Sequence, residues 1–245
     1  MKKALGAITL LSTTILLGTV GPTAFAAGGN ATTQGTVTIT QDTTPTGSTD
    51  PTGPTDPTDP GDGGGNQGTG SDGLILEYVS NFDFGDIEYA GEAKTVIAKP
   101  DEWGKHTDPS KDHDIANQIQ VSDKRSTHGE WNVTVQMDTP FTGQNGDLGT
   151  SSITLKDLSV NNFVSTGTHH NLNLQTNSSI QINPDGKAVT VVGTPSGKDG
   201  RGHFHIDFGT KTDVGVVLNL ESELNLTSGD TYTTDLTWTL SDSPL

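Results

Sequence analysis

From Leu74 onward the chain alternates apolar and polar residues in short runs. Trp131, Val133, Val135 and Met137 share one parity, and Asn132, Thr134, Gln136 and Asp138 the other. Phe204, Ile206 and Phe208 alternate with His203, His205 and Asp207, and Val214, Val216, Leu218 and Leu220 repeat the pattern. Ile180/Ile182 and Val189/Val191 do so over shorter spans. Tyr232, Thr234, Leu236, Trp238 and Leu240 occupy one face near the end, opposite a face that is polar throughout. A period of two puts such sets on opposite sides of strands. Turn signals separate the runs at Gln144-Asn145-Gly146, at Pro184-Asp185-Gly186 and from Ser196 to Gly202. No segment carries a sustained helical stripe. The pattern predicts about ten short strands and an all-β fold class, a β-sandwich or barrel-like antiparallel domain.

Upstream the pattern stops. Residues 42–73 contain no apolar side chain apart from proline, and Thr49-Asp50-Pro51 opens four consecutive Thr-x-Pro triplets that end at Pro60. Proline at every third position favours polyproline II, and the spaced aspartates repel one another. Gly61 to Gly73 reads as a looser hinge. Residues 27–73 are thus expected to be a disordered, extended Pro/Gly/Thr-rich linker, either a spacer or simply chain that cannot form a core. Lys2-Lys3, an apolar run from Ala4 to Val20 and Ala24-Phe25-Ala26 have the layout of a secretory signal peptide over residues 1–26. The domain itself is assigned to residues 74–245.

Composition narrows the function. The 245 residues carry 13 Lys+Arg and 30 Asp+Glu, a net charge of −17. Loss of Lys2 and Lys3 with the signal peptide leaves 11 against 30, or −19. Such a chain offers no basic footprint for nucleic acid. The absence of cysteine removes disulfides, thiolate metal sites, cysteine nucleophiles and cysteine-linked lipid anchors. No second apolar stretch is long enough to span a bilayer, so no membrane span is expected after signal cleavage.

Two groups of residues, taken together, resemble a known family. One is Thr237-Trp238-Thr239-Leu240-Ser241-Asp242-Ser243-Pro244. The other is Asp123-Lys124-Arg125 followed by Trp131-Asn132-Val133, with Phe82-Asp83-Phe84-Gly85 near the domain start. This is similar to the WxL-domain surface proteins of Gram-positive bacteria. Val133 stands where the first motif of the family has leucine, an apolar replacement. The resemblance implies secretion, a cell-wall or cell-surface location and non-covalent attachment to peptidoglycan. It also implies complexes with partner surface proteins and adhesion to host matrix proteins. With no LPxTG-like motif and no hydrophobic stretch before Pro244-Leu245, no sortase or membrane anchor is expected.

The candidate ligand-binding residues are Trp131, Val133, Trp238, Leu240 and Trp103, with Asp123 and Arg125 as motif support. In each motif the Trp and the residue two places on share a face, which is either packed core or a groove where indoles stack on sugar rings. Trp103 sits in a polar stretch without alternating neighbours, so it is expected in a loop, either as a contact residue tolerant of truncation or folded back onto the domain edge. Asp123 and Arg125 are expected to pair structurally. Metal chemistry is not assigned. His203, His205 and Asp207 read as the solvent face of a strand, and Asp108, Asp112 and Asp114 lack EF-hand spacing. No hydrolase motif or cofactor motif occurs. The expected class is a binding protein, not an enzyme, with a protein-ligand role as the alternative to wall binding.

Overall fold

The structure is a computed structural model that describes residues 73–245 apart from 105–106, 126–128 and 163–173, together with the backbone of 62–63 and 70–71. The expected signal peptide and most of the expected linker lie outside the described residues. Strands β1 (Asp62–Gly63) and β2 (Gly70–Ser71) precede β3 (Leu74–Val79), β4 (Lys94–Ile97), β5 (Asp101–Gly104), β6 (His113–Ile115), β7 (Gln118–Asp123) and β8 (Asn132–Met137). There follow β9 (Thr142–Gly143), β10 (Gly146–Asp147), β11 (Ser152–Lys156), β12 (Leu158–Asn162), β13 (Gln175–Thr176) and β14 (Ser179–Ile182). The last four are β15 (Val189–Gly193), β16 (Gly202–Phe208), β17 (Val216–Leu220) and β18 (Leu236–Ser241). One 3-10 turn, Pro109–Lys111, is the sole helical element among the described residues.

The fold is all-β and antiparallel, as the alternation predicts. Three sheets, ordered β14-β11-β17-β4, β12-β16-β7-β3-β2 and β13-β15-β8-β18, make up most of the domain. Their inner faces share one hydrophobic core that includes Ile119, Val121, Val133, Leu155, Ile206 and Leu218. The apolar side of each alternating run supplies these residues, so the period of two translates directly into sandwich-like packing.

Pro184-Asp185-Gly186 connects β14 and β15, which belong to different sheets, so this turn carries the chain across the sandwich. Two details depart from the sequence reading. Gly61–Gly73, read as a hinge, contributes β1, paired with β5, and β2, paired with β3. All six residues of β7 are buried although Gln118, Gln120 and Ser122 have the polar parity. The neighbouring His203, His205 and Asp207 are accordingly half-buried, not a solvent face. One neighbour of His203 is Glu77 on β3, itself only 6% exposed, whose carboxylate lies 2.8 Å from His203 Nε2.

Candidate functional site

The two tryptophan motifs are side by side. β8 and β18 pair antiparallel, with Trp238 opposite Val135 and Leu240 opposite Val133. Opposed residues of an antiparallel pair point to the same face, and Val133 and Val135 are fully buried. Trp238 and Leu240 therefore face the core as well, but β18 is the sheet edge and leaves them half-buried.

Strand β16 receives both indoles. Trp131 packs against Phe204 with ring centroids 6.0 Å apart, and Trp238 stacks on Phe208 at 6.1 Å and 18°. Phe82 meets the same Phe208 edge-on at 6.2 Å. Aromatic pairs at these separations add about 0.5–1.5 kcal/mol beyond the area they bury. The Trp131 indole is fully buried, and its Nε1–H donates to the carbonyl of Gly200 at 2.7 Å. A Cβ at Gly200 would stand 2.6 Å from that nitrogen, so only glycine fits over the ring. Buried in this way, Trp131 and Val133 present no surface to a glycan.

Arg125 joins the two motifs electrostatically. Its Nε and Nη2 donate to the two carboxylate oxygens of Asp123 at 2.9 and 2.8 Å, its Nη1 donates to Asp242, and its Nη2 also reaches the Glu130 carbonyl at 3.3 Å. The Asp123 side chain has no exposure and that of Arg125 has 12%. The hydrogen bonds that Arg125 donates to Asp123 above all, and to Asp242, raise its pKa beyond its already high ordinary value. Gly129 lies under the guanidinium, where a Cβ would fall 2.1 Å from Nη2.

The segment after β18 is tied down by the same neighbourhood. Asn132 Nδ2 donates to the Ser243 carbonyl at 3.0 Å, and the Leu245 amide donates to the Thr194 carbonyl at 3.1 Å. The Thr194 amide in turn donates to the Trp131 carbonyl at 2.8 Å. Asp242, Asn132, Thr194, Gly129 and Gly200 were not singled out from the sequence. Asp242 and Asn132 stand within the two motifs, Gly129 just before the first and Gly200 in the Ser196–Gly202 turn, but their partners are distant along the chain.

Trp103 lies in β5, between β1 and β6, and not in a loop. It is fully buried in a small second core with Tyr78 and Ile115, its ring 5.9 Å from that of Tyr78. Tyr78 also donates its hydroxyl to Asp101 at 2.5 Å. Both apolar partners are remote in sequence, so no local alternation announces them.

No group of three or more His, Asp or Glu side chains converges as a metal site among the described residues. His205 Nδ1 lies 2.9 Å from Asp207 Oδ1. No helix among them is long and apolar enough to cross a membrane.

The structure defines an all-β domain whose two tryptophan motifs lie on adjacent strands beside an Asp-x-Arg pair. The model of one family, described as WxL domain surface cell wall-binding, matches residues 26–244. The chain belongs to that family, which locates it at the cell surface, in the cell wall, and describes a binding domain instead of an enzyme class. Neither the curated proteins nor the solved structures searched contain a match.

Proposed function

We propose that this protein attaches non-covalently to the cell wall by binding peptidoglycan through residues 74–245, after export directed by residues 1–26. The observation that carries this reading is the family match, which spans residues 26–244 and so includes the whole β domain. Charge bears on the ligand: without residues 1–26 the chain carries 11 Lys+Arg against 30 Asp+Glu, or −19, and is repelled by anionic wall polymers. Hydrogen bonding and packing to the neutral glycan supply the affinity.

The test is sedimentation of purified residues 27–245 with protein-free peptidoglycan, before and after the wall's anionic polymers are stripped. Cosedimentation that persists after stripping is the expected result. Failure to sediment in both cases would overturn the reading and assign the ligand role to a partner surface protein or a host matrix protein.

A further inference from the structure

The sheet β14-β11-β17-β4 turns Ile153, Leu155, Ile182 and Leu218 into the core, and its other face is lined mainly by amides and hydroxyls, with Lys156 at the end of β11 away from Asn219. Register places Asn219 between Ser152 on β11 and Thr95 on β4, and Thr154 between Gln181 on β14 and Val217 on β17. The row borders a cleft of about 510 Å³, whose lining includes Gln181, Asn219, Asn183, Asp185 and Glu221.

The hydrogen bonds within this row fix which way the amides present themselves. Asn219 Nδ2 donates to Thr154 Oγ1 at 2.9 Å, and Gln181 Nε2 donates to Ser152 Oγ at 3.0 Å and to Asn183 Oδ1 at 3.1 Å. The amide nitrogens are thus consumed by the sheet. The carbonyl oxygens of Gln181 and Asn219 receive no donor among the described residues, and each keeps two acceptor lone pairs. The carboxylates at the rim already have donors: Lys187 Nζ sits 2.7 Å from Asp185, and the Thr150 amide donates to Glu221 at 3.0 Å. Those hydrogen bonds, from Lys187 and from Thr150 respectively, lower the pKa values of Asp185 and Glu221.

Beside this polar row stands an apolar one. Ile97 is opposite Val217 and is 56% exposed, one of two large hydrophobic side chains so exposed among the described residues. Val217 is two residues from Asn219, so Ile97 and Asn219 share the outer face as diagonal neighbours.

We propose that this face is the glycan contact, with the cleft holding one or two amino-sugar units of a polysaccharide strand. The proposal rests on the peptidoglycan reading above and deepens it. Free neutral acceptors match hydroxyl and acetamido N–H donors, whereas an ammonium group calls for an uncommitted carboxylate and an anionic polymer for a cation. Ile97 supplies the apolar step on which the C–H face of a sugar ring rests.

The experiment compares the wild-type chain (residues 27–245) with Gln181→Ala/Asn219→Ala, using peptidoglycan sedimentation and a melting curve for each. The expected result is sedimentation of wild type and about tenfold weaker binding by the double variant, as loss of two hydrogen bonds to the ligand implies, measured well below a melting temperature that the lost contacts to Ser152 and Thr154 lower by a few degrees. Equal binding by both proteins would overturn the cleft assignment and leave wall attachment standing. Absence of wild-type binding would overturn both. Should the variant fail to fold, NMR of the wild type with the N-acetylglucosamine tetramer decides. Shifts in the side-chain amides of Gln181 and Asn219 are expected, and unmoved amides would refute the site.

Discussion

Replacing Arg125 with alanine isolates the latch between the two motifs. The substitution leaves the Asp123 carboxylate without exposure and strips two of its three hydrogen bonds, those to Nε and Nη2; the Arg125 backbone amide at 3.1 Å remains. Removing one partner of a buried pair costs about 3–5 kcal/mol, most of it the penalty of the stranded charge. The contact to Asp242 adds little, because that side chain is 73% exposed and surface pairs contribute about 0–1 kcal/mol. For a domain of this size each kcal/mol moves the melting temperature by about 2–4 °C. Arg125→Ala should therefore lower it by roughly 6–20 °C, and Asp242→Ala by no more than about 4 °C. Thermal unfolding by circular dichroism measures both. The double variant Asp123→Ala/Arg125→Ala should melt above the value obtained by adding the two single losses, because it strands no charge. An Arg125→Ala protein that melts within 2 °C of wild type would refute the latch. So would strict additivity in the cycle.

Three further outcomes follow from the same geometry. Trp103→Ala empties the small core with Tyr78 and Ile115 and should cost about 3–5 kcal/mol, read as a lower urea midpoint; an unchanged midpoint would contradict its burial. Burial pushes the Glu77 carboxyl up, but hydrogen bonds from His203 and Ser122 and the charges of His203 and Lys124 outweigh it and hold the group below 4.5. A lowered folded-state value stabilises above the unfolded pKa and loses that stability as pH falls through the folded one. The melting temperature of wild type should thus fall more steeply than that of Glu77→Gln below pH 4.5, and parallel curves would refute the assignment. Wall binding should hold or strengthen as salt rises from about 50 to 500 mM, since screening weakens the repulsion between like charges; a tenfold loss would point to an electrostatic ligand.

The legible part of the fold is the part whose burial alternates. β8 and β16 were readable because each buries alternate residues, and local parity is sufficient for that. β7 was not, because Gln118, Gln120 and Ser122 carry polar parity yet are covered, and the cover comes from distant chain. The end of the domain shows the same limit. Tyr232 and Thr234 continue the parity of Trp238, but β18 begins only at Leu236. Tyr232 instead accepts the Thr227 amide through its hydroxyl at 3.1 Å, and its ring crowds Gly143, where a Cβ would be 2.9 Å away. In the motifs, the sequence announced the tryptophans and the Asp123–Arg125 pair but not their meeting, which depends on the β8–β18 register and on two phenylalanines of β16.

That meeting moves the search for the ligand surface. Trp103, Trp131 and Val133 are fully buried, and Trp238 and Leu240 face the core from an edge strand. The buried part of the motif thus supports the stability and shape of the domain. Affinity for the wall calls for a face that offers uncommitted acceptors and is held rigid by the sheet beneath. The outer face of β14-β11-β17-β4 meets both conditions, with Lys156 at one end of it. Its amides are oriented by Ser152 and Thr154, its carboxylates are engaged at the rim, and Ile97 lies open beside them. The tryptophans name the family; the uncommitted oxygens of Gln181 and Asn219 are where its ligand should be sought.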